Sequence, residues 1–344
     1  MTAQQAPAAY RALTAGAPAV PVGIFGSGLY VPERVVGNSE IADGLDTTEA
    51  WIESRTGILT RHFAAATEST SDMCLRAVHN ALEGARIDPG EVDAVIVSTI
   101  TADQPLPSTA AAVAEALGAH AAWPIDLTQA ACAGGVHGLV LAAHLLQNPE
   151  IGTVVVAGAE TLSRITDPAD RTTRVFFGDA AGAVVLRRTK PGGGLLAWDA
   201  GYKLSYRVGI TAGGSRRPLT PQRVADGEHF LRMDGRAVWR EATQALPASI
   251  RNVARRAGVA LDDLDHVVLH QANLNIIHEV MDQLGVPRGR ATTTVGDLGN
   301  TGSATVFTVL HQLLTSGRLR PGDLAVVSAI GAGFVWGSVC LRHH

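Results

Sequence analysis

Charge is scarce in this chain. Only 17% of its 344 residues are Asp, Glu, Lys or Arg, and they leave a formal net charge of -4. So small an imbalance gives no electrostatic reason to expect a nucleic acid or a membrane surface as partner. Long apolar runs are also missing: 46% of the residues are hydrophobic, yet none of the runs approaches the ~20 residues that cross a bilayer. Cysteine is rarer still, with Cys74, Cys132 and Cys340 far apart, no CxxC pair and no secretory apolar stretch at the N-terminus. That usage argues against a disulfide scaffold and for free thiols in a reducing cytoplasm. Gly26-Ser-Gly28 has no third glycine, which removes the dinucleotide fingerprint.

What is present is room for a large core, and the length suggests two domain-sized units. Residues 1–20, rich in Ala, Gln and Pro, are expected to be a mobile tail outside the fold. Strand and helix patterns then alternate. Pro21–Gly28 reads as a strand entering a glycine turn, Ser71–Ala85 has helical apolar spacing, and Val92–Ile100 is the continuous apolar run of a parallel strand buried on both faces. A helix at Thr109–Leu117 and strands at Trp123–Leu127, Gly152–Gly158 and Ala181–Arg187 complete a first half. The same grammar returns. Ala254–Leu269 echoes Ala81–Val97, Leu324–Ala329 echoes Val154–Ala159, and Trp336–Arg342 echoes Ala181–Arg187. Two similar βαβ halves, 21–190 and 191–344, are therefore expected to stack as mixed sheets with helices buried between them. Lys190–Arg232, rich in Gly, Arg and Pro without clear period, reads as loops over one face.

The chemistry gathers around Asp126–Leu139, read as a strand end, a tight turn with Cys132 and the start of an apolar helix. Ala130, Ala131, Ala133 and Gly134 crowd the thiol with small residues, as a strained strand-to-helix elbow requires. The helix, from about Gly134 to Leu146, would aim N–H groups and its positive dipole end at the sulfur, lowering the thiol pKa. Taken alone, a cysteine among alanines is more simply a small buried hydrophobe. His270 closes the returning strand in Leu269-His-Gln-Ala-Asn273-Leu-Asn275, where a satisfied strand-end histidine and a catalytic one are equally compatible. Asn300, in Gly299-Asn-Thr-Gly-Ser303, sits at a helix start, and an ordinary N-cap is the simpler reading. The glycine turn Ile330–Phe334 follows a buried strand and can present backbone N–H groups. Trp51 and Arg55 share a face of a short helix, which suits a core-edge tryptophan beside a solvated arginine as well as a ligand-stacking pair. His266 and His270 have the i, i+4 spacing of a zinc pair but fall on a strand, so no metal site is expected.

Taken together, Ala-Cys132-Ala-Gly, His270-Gln-Ala-Asn273, Gly-Asn300-Thr and Gly331-Ala-Gly-Phe-Val-Trp-Gly337 resemble the β-ketoacyl-acyl carrier protein synthase III family of thiolase-fold condensing enzymes. The motifs stand in the family's order from about Gly23 to Arg342. The resemblance implies an α/β fold of five αβαβα layers from two duplicated halves, a homodimer, and a Cys-His-Asn site assembled from both halves. It makes Cys132 the acylated nucleophile, and His270 and Asn300 the donors at the second substrate's thioester carbonyl. The N–H of Cys132 and one from the Gly331-Ala332-Gly333 turn, represented by Ala332, would form an oxyanion hole. Trp51 resembles the adenine-stacking residue, Arg55 and Arg171 the coenzyme A contacts, and Asn273 a supporting group beside the histidine. Phe177–Gly182 matches a segment read as structural. Acyl-coenzyme A and a malonyl thioester, on an acyl carrier protein or otherwise, are the implied substrates, with neither metal nor redox cofactor.

Several positions depart from the family pattern. Asn275 is uncharged where an arginine usually helps dock the carrier protein. Leu106 stands where an aromatic commonly walls the acyl pocket from the dimer partner, and Gly135 where another aromatic is common, so a differently shaped acyl pocket is expected. Arg236 replaces a frequent asparagine, and Ala332 interrupts a glycine triplet. These departures point towards polyketide or other secondary metabolism. Two activities remain open: decarboxylative condensation, or transfer of the acyl group from Cys132 to a hydroxyl or amine with His270 as general base. A non-catalytic partner of a heterodimer is a third reading, disfavoured by the intact Cys-His-Asn set.

Overall fold

Strands buried at every position, such as Ala94–Ser98 and Thr153–Thr161, need cover on both faces. Layering provides it. The computed structural model describes residues 12–128 and 130–344. In chain order it runs β1 (Ala12–Gly16), β2 (Val22–Tyr30), β3 (Arg34–Gly37), α1 (Asn38–Ala42), α2 (Glu49–Thr56), β4 (Thr60–Phe63), α3 (Thr70–Ala85), β5 (Ala94–Ser98), α4 (Thr109–Leu117), β6 (Trp123–Leu127), α5 (Gly134–Leu145), β7 (Thr153–Thr161) and β8 (Asp179–Arg188). There follow β9 (Gly194–Tyr202), β10 (Val208–Ile210), α6 (Pro221–Ala225), β11 (Leu231–Met233), α7 (Gly235–Ala257), β12 (His266–Leu269), α8 (Leu274–Leu284), α9 (Val295–Leu298), α10 (Thr305–Thr315), β13 (Leu324–Gly331) and β14 (Val335–Arg342).

Two five-stranded mixed sheets result, ordered β2-β8-β7-β5-β6 and β1-β9-β14-β13-β12. Within them β2-β8-β7-β5 and β9-β14-β13-β12 are the same arrangement, which is the duplication legible in the sequence. Three apolar clusters define the layers. One joins α5 and α10 to strands of both sheets, a second packs α3 and α4 on the outside of the first sheet, and a third packs α7 and α8 on the outside of the second. The order is therefore αβαβα, with α5 and α10 enclosed at the centre.

Two expectations need correction. Ala12–Gly16, assigned to a mobile tail, is an edge strand paired antiparallel with β9 from Ala12↔Gly201 to Gly16↔Ala197. Backbone pairing holds it, with little help from its mixed composition, and Thr14 Oγ1 adds a hydrogen bond to Asp199. The rest of the proposed tail, residues 1–11, lies outside the described residues. In the supposed loops of Lys190–Arg232, β9 is an inner strand of the second sheet, flanked by β1 and β14. Its glycines at both ends and Asp199 within hid the period; Asp199 is buried because Thr14 and Ser249 hydroxyls meet its carboxylate.

Candidate active site

The two central helices both begin beside one cavity, and this brings the separated motifs together. After β6 the chain turns sharply: Ala131 adopts a φ of 45°, a left-handed conformation that costs an alanine about 1–2 kcal/mol. Cys132 lies in the single 3-10 turn Ala131–Ala133 that leads into α5. Its neighbours leave no slack. A Cβ on Gly134 would fall 1.7 Å from Ser98 Oγ at the end of β5, and one on Gly331 would fall 2.4 Å from Ala130 O and 2.8 Å from Cys132 N. Strand ends from both sheets thus clamp the elbow. Gly134→Ala is expected to lower stability by at least about 1–3 kcal/mol through overpacking, read as a reduced melting temperature alongside slower modification of Cys132.

His270 follows β12 directly, its backbone N–H donating to Ser328 O at 2.9 Å. Its Nδ1 lies 2.7 Å from Thr305 Oγ1 at the start of α10. The Thr305 hydroxyl donates to Gly302 O at 2.9 Å, and its oxygen holds the Nδ1 side of the ring, which leaves Nε2 as the ring nitrogen for the cavity. Burial pushes the imidazole down to about 4, so it is neutral in ordinary solution.

Asn300 is anchored by its backbone, N to Phe176 O at 2.8 Å and O from Gly178 N at 3.0 Å. Its Oδ1 accepts from Gly302 N at 2.9 Å, which leaves the amide Nδ2 as the donor available to the cavity. The tight turn requires positive φ at Gly299 and Gly302, 64° and 58°.

Cys132, His270, Asn300, Asn273 and Ala332 all line this cavity, whose empty space, mouth included, is about 1010 Å³. The rest of its wall is mainly apolar, with Phe176, Phe177, Leu231, Trp239 and Leu246 prominent. At its mouth a wider recess holds Trp51, Arg55, Arg171 and Arg236, joined to the inner cavity through Phe176, Met233, Gly235, Trp239 and Asn273. The Arg171 guanidinium lies over the Trp51 ring, 5.4 Å from its centroid.

Other expectations fail. Cys132 is not poised as a thiolate: burial and the nearby Glu160 push its thiol up to about 12. The enclosed elbow desolvates the sulfur more strongly than the following helix end favours its charge. Leu106 is 84% exposed on the loop after β5 and does not line this chain's own cavity, as a residue expected to wall the pocket of a dimer partner need not. Gly135 is buried, but against α10: a Cβ there would meet Val306 Cγ2 at 2.9 Å and Ser303 O at 3.0 Å, so its small size serves helix contact rather than pocket shape. Asn273 lines the same cavity as His270 and is held from its own helix. It caps α8 through Asn275 N, and its Nδ2 donates to Arg55 O at 2.9 Å. Asn275 likewise donates to Arg55 O, at 2.9 Å, which fixes α2 against α8. Thr305, the partner of His270, escaped the sequence reading; the hydroxyl-rich run Thr301–Thr305 was its only signal.

Known proteins carry the same architecture. The family model described as 3-oxoacyl-[acyl-carrier-protein (ACP)] synthase III matches residues 125–203, and that for its C-terminal part matches 254–343. The β-ketoacyl-[acyl-carrier-protein] synthase III of Symbiobacterium thermophilum is 41% identical over 327 residues, covering 94% of this chain and 98% of the relative. That of Cereibacter sphaeroides is 42% identical over 325 residues, covering 93% and 98%. The crystal structure of 3-oxoacyl-[acyl-carrier-protein] synthase III from Aquifex aeolicus superposes with a TM-score of 0.86 at 32% identity, over 94% of this chain and all of that one. The priming β-ketosynthase of the R1128 polyketide pathway superposes with the same score at 35% identity, over 95% and 97%.

The fold and the Cys-His-Asn cavity define a thiolase-fold condensing enzyme of the acyltransferase class. The chain belongs to the 3-oxoacyl-[acyl-carrier-protein] synthase III family.

Proposed function

We propose that the chain loads an acyl group from acyl-coenzyme A onto Cys132 and condenses it with a malonyl thioester. The observation that carries this reading is the arrangement of one thiol, the neutral His270 ring and the Asn300 Nδ2 donor around one apolar cavity. In the first step Cys132 sulfur attacks the thioester carbonyl, the acyl–sulfur bond to coenzyme A breaks, and the thiol proton leaves, in net terms, with coenzyme A. Backbone N–H groups of Cys132 and Ala332 take up the charge on the carbonyl oxygen, each worth on the order of 3 kcal/mol. Trp51, Arg55 and Arg171 receive the nucleotide at the mouth, and Asn273 braces that wall. In the second step carbon dioxide leaves the malonyl group and the enolate oxygen accepts from His270 and Asn300. Its carbon then attacks the acyl-cysteine and frees the Cys132 sulfur. These residues place donors and a nucleophile where the chemistry needs them without help from a metal or redox group.

Acyl transfer to a hydroxyl or amine needs a bare His270 Nε2 to take the acceptor's proton. Condensation needs that nitrogen to carry the proton, and the products tell the two readings apart. Carbon dioxide released from carboxyl-labelled malonyl thioester, stoichiometric with a lengthened product, is the expected result; ester or amide formed without it would replace condensation by acyl transfer. With His270 neutral down to about pH 4, decarboxylation by the preloaded enzyme should show no acidic fall between pH 5.5 and 7.

We also propose a homodimer formed around β6, which lies at a sheet edge and exposes Trp123; sedimentation should give twice the chain mass. A place in polyketide or other secondary metabolism is supported by the departures at Asn275 and Arg236 and by the likeness to a polyketide priming ketosynthase. Carrier-protein and coenzyme A forms of the malonyl donor are to be compared directly, since Asn275 is spent on the α2 backbone.

A further inference from the structure

One carboxyl group lies close to Cys132 and has no part in the chemistry above. Glu160, near the end of β7, is fully buried, and its partners are neutral. Thr101 Oγ1 reaches its Oε2 at 2.7 Å, Thr99 Oγ1 at 3.2 Å and Ile100 N at 3.2 Å, while Ser303 Oγ stands 3.0 Å from Oε1. Ser303 decides how this cluster is protonated. Its single hydroxyl proton goes to Ser98 O, the nearer partner at 2.7 Å and one that can only accept. The contact with Glu160 is then a hydrogen bond only if the carboxyl supplies the proton. A carboxylate there would set lone pair against lone pair in a dry pocket.

We propose that Glu160 stands in the resting enzyme as a neutral carboxylic acid donating from Oε1 to Ser303 Oγ, a positioning residue that ties β7 to the turn carrying Asn300 and Thr305. Gly302 in that turn packs on it directly: a Cβ there would meet Glu160 Cγ at 2.8 Å. Burial acts in the same direction and lifts the carboxyl to about 7. The groups facing it are Thr99, Ile100 and Thr101 after β5, Ser303 and Gly302 in the turn, and Cys132 in the elbow, of which Cys132 alone titrates. Ionised Glu160 raises the Cys132 thiol; the neutral acid does not. Below its pKa the acid therefore leaves Cys132 easier to ionise and the turn fastened. As pH rises past it, the Ser303 bond is lost and a second negative charge opposes the thiolate.

This inference rests on Cys132 being the acylated nucleophile, and the test separates the two. The rate of acyl adduct formation on the full chain is followed by intact mass from pH 6 to 9, for the native enzyme and for Glu160→Gln, whose amide accepts and donates as the neutral acid does. The ratio of variant to native rate should climb with pH, by about tenfold if the thiol pKa is relieved by about one unit. A flat ratio overturns the proposal. Infrared spectra of the native enzyme at pH 6 and pH 9 give a second reading, independent of whether the variant folds. A protonated-carboxyl carbonyl band present at pH 6, lost at pH 9 and absent from the variant supports it, and its absence at pH 6 overturns it. If no adduct forms on Cys132 in either protein, the nucleophile assignment fails while the infrared band still decides the state of Glu160.

Discussion

Cys132→Ala will abolish the acyl adduct that the native chain forms with acyl-coenzyme A. The expected effect is complete within detection, because a thioester bond to the protein needs a thiol that substrate can reach. Cys132 is the partly accessible cysteine on the cavity, whereas Cys74 and Cys340 are fully buried within apolar clusters. Burial also pushes each of those thiols up to about 12. The Cys132 thiol starts equally high, so its advantage lies in position: it borders the cavity. Its acylation should accordingly rise between pH 6 and 9 rather than stand on a plateau. Intact-mass spectra followed by peptide mapping over an acyl-coenzyme A panel check this, and an adduct on Cys74 or Cys340 would refute the assignment.

His270→Ala and Asn300→Ala should divide the reaction. Each removes one donor to the enolate oxygen, and loss of a preorganised donor of this kind typically costs about 10²–10³ in rate. Decarboxylation and condensation should therefore fall by about that factor, while adduct formation on Cys132 stays within about tenfold. Single-turnover measurement of each half-reaction separates the effects. Equal loss in both steps would show that these side chains serve the first carbonyl as well. His270→Gln, which keeps a neutral donor, should recover part of the second step. Thr305→Val belongs to the same argument: without the hydroxyl beside Nδ1 the imidazole loses its anchor, and the second step should weaken without loss of the adduct.

Much of this architecture was legible along the chain because it repeats. The continuous apolar strands at 94–98 and 324–329, the helix preceding each half's parallel strand and the paired final strands show period and buried character in any context. β9 was not legible, since it owes its place to cross-strand pairing on both sides and to hydroxyls that neutralise Asp199. The same division holds at the site. Cys132, His270 and Asn300 each have a local signature, a small-residue elbow, a strand end and a glycine turn. Gly135 had none, and its expected pocket role dissolved once the α5–α10 contact was in place.

By itself, then, the sequence determined the family and the doubled αβ pattern and picked out Cys132, His270 and Asn300 as the candidate nucleophile and donors, because these depend on residue type and order along the chain. Only the tertiary structure decided that Cys132 rests as a thiol, that Thr305 orients His270, that Asn300 turns its amide nitrogen to the cavity and that Glu160 lies beneath the turn. For His270 and Glu160 these follow from burial and from partners 35 and 143 residues distant in sequence, separations that no local pattern records.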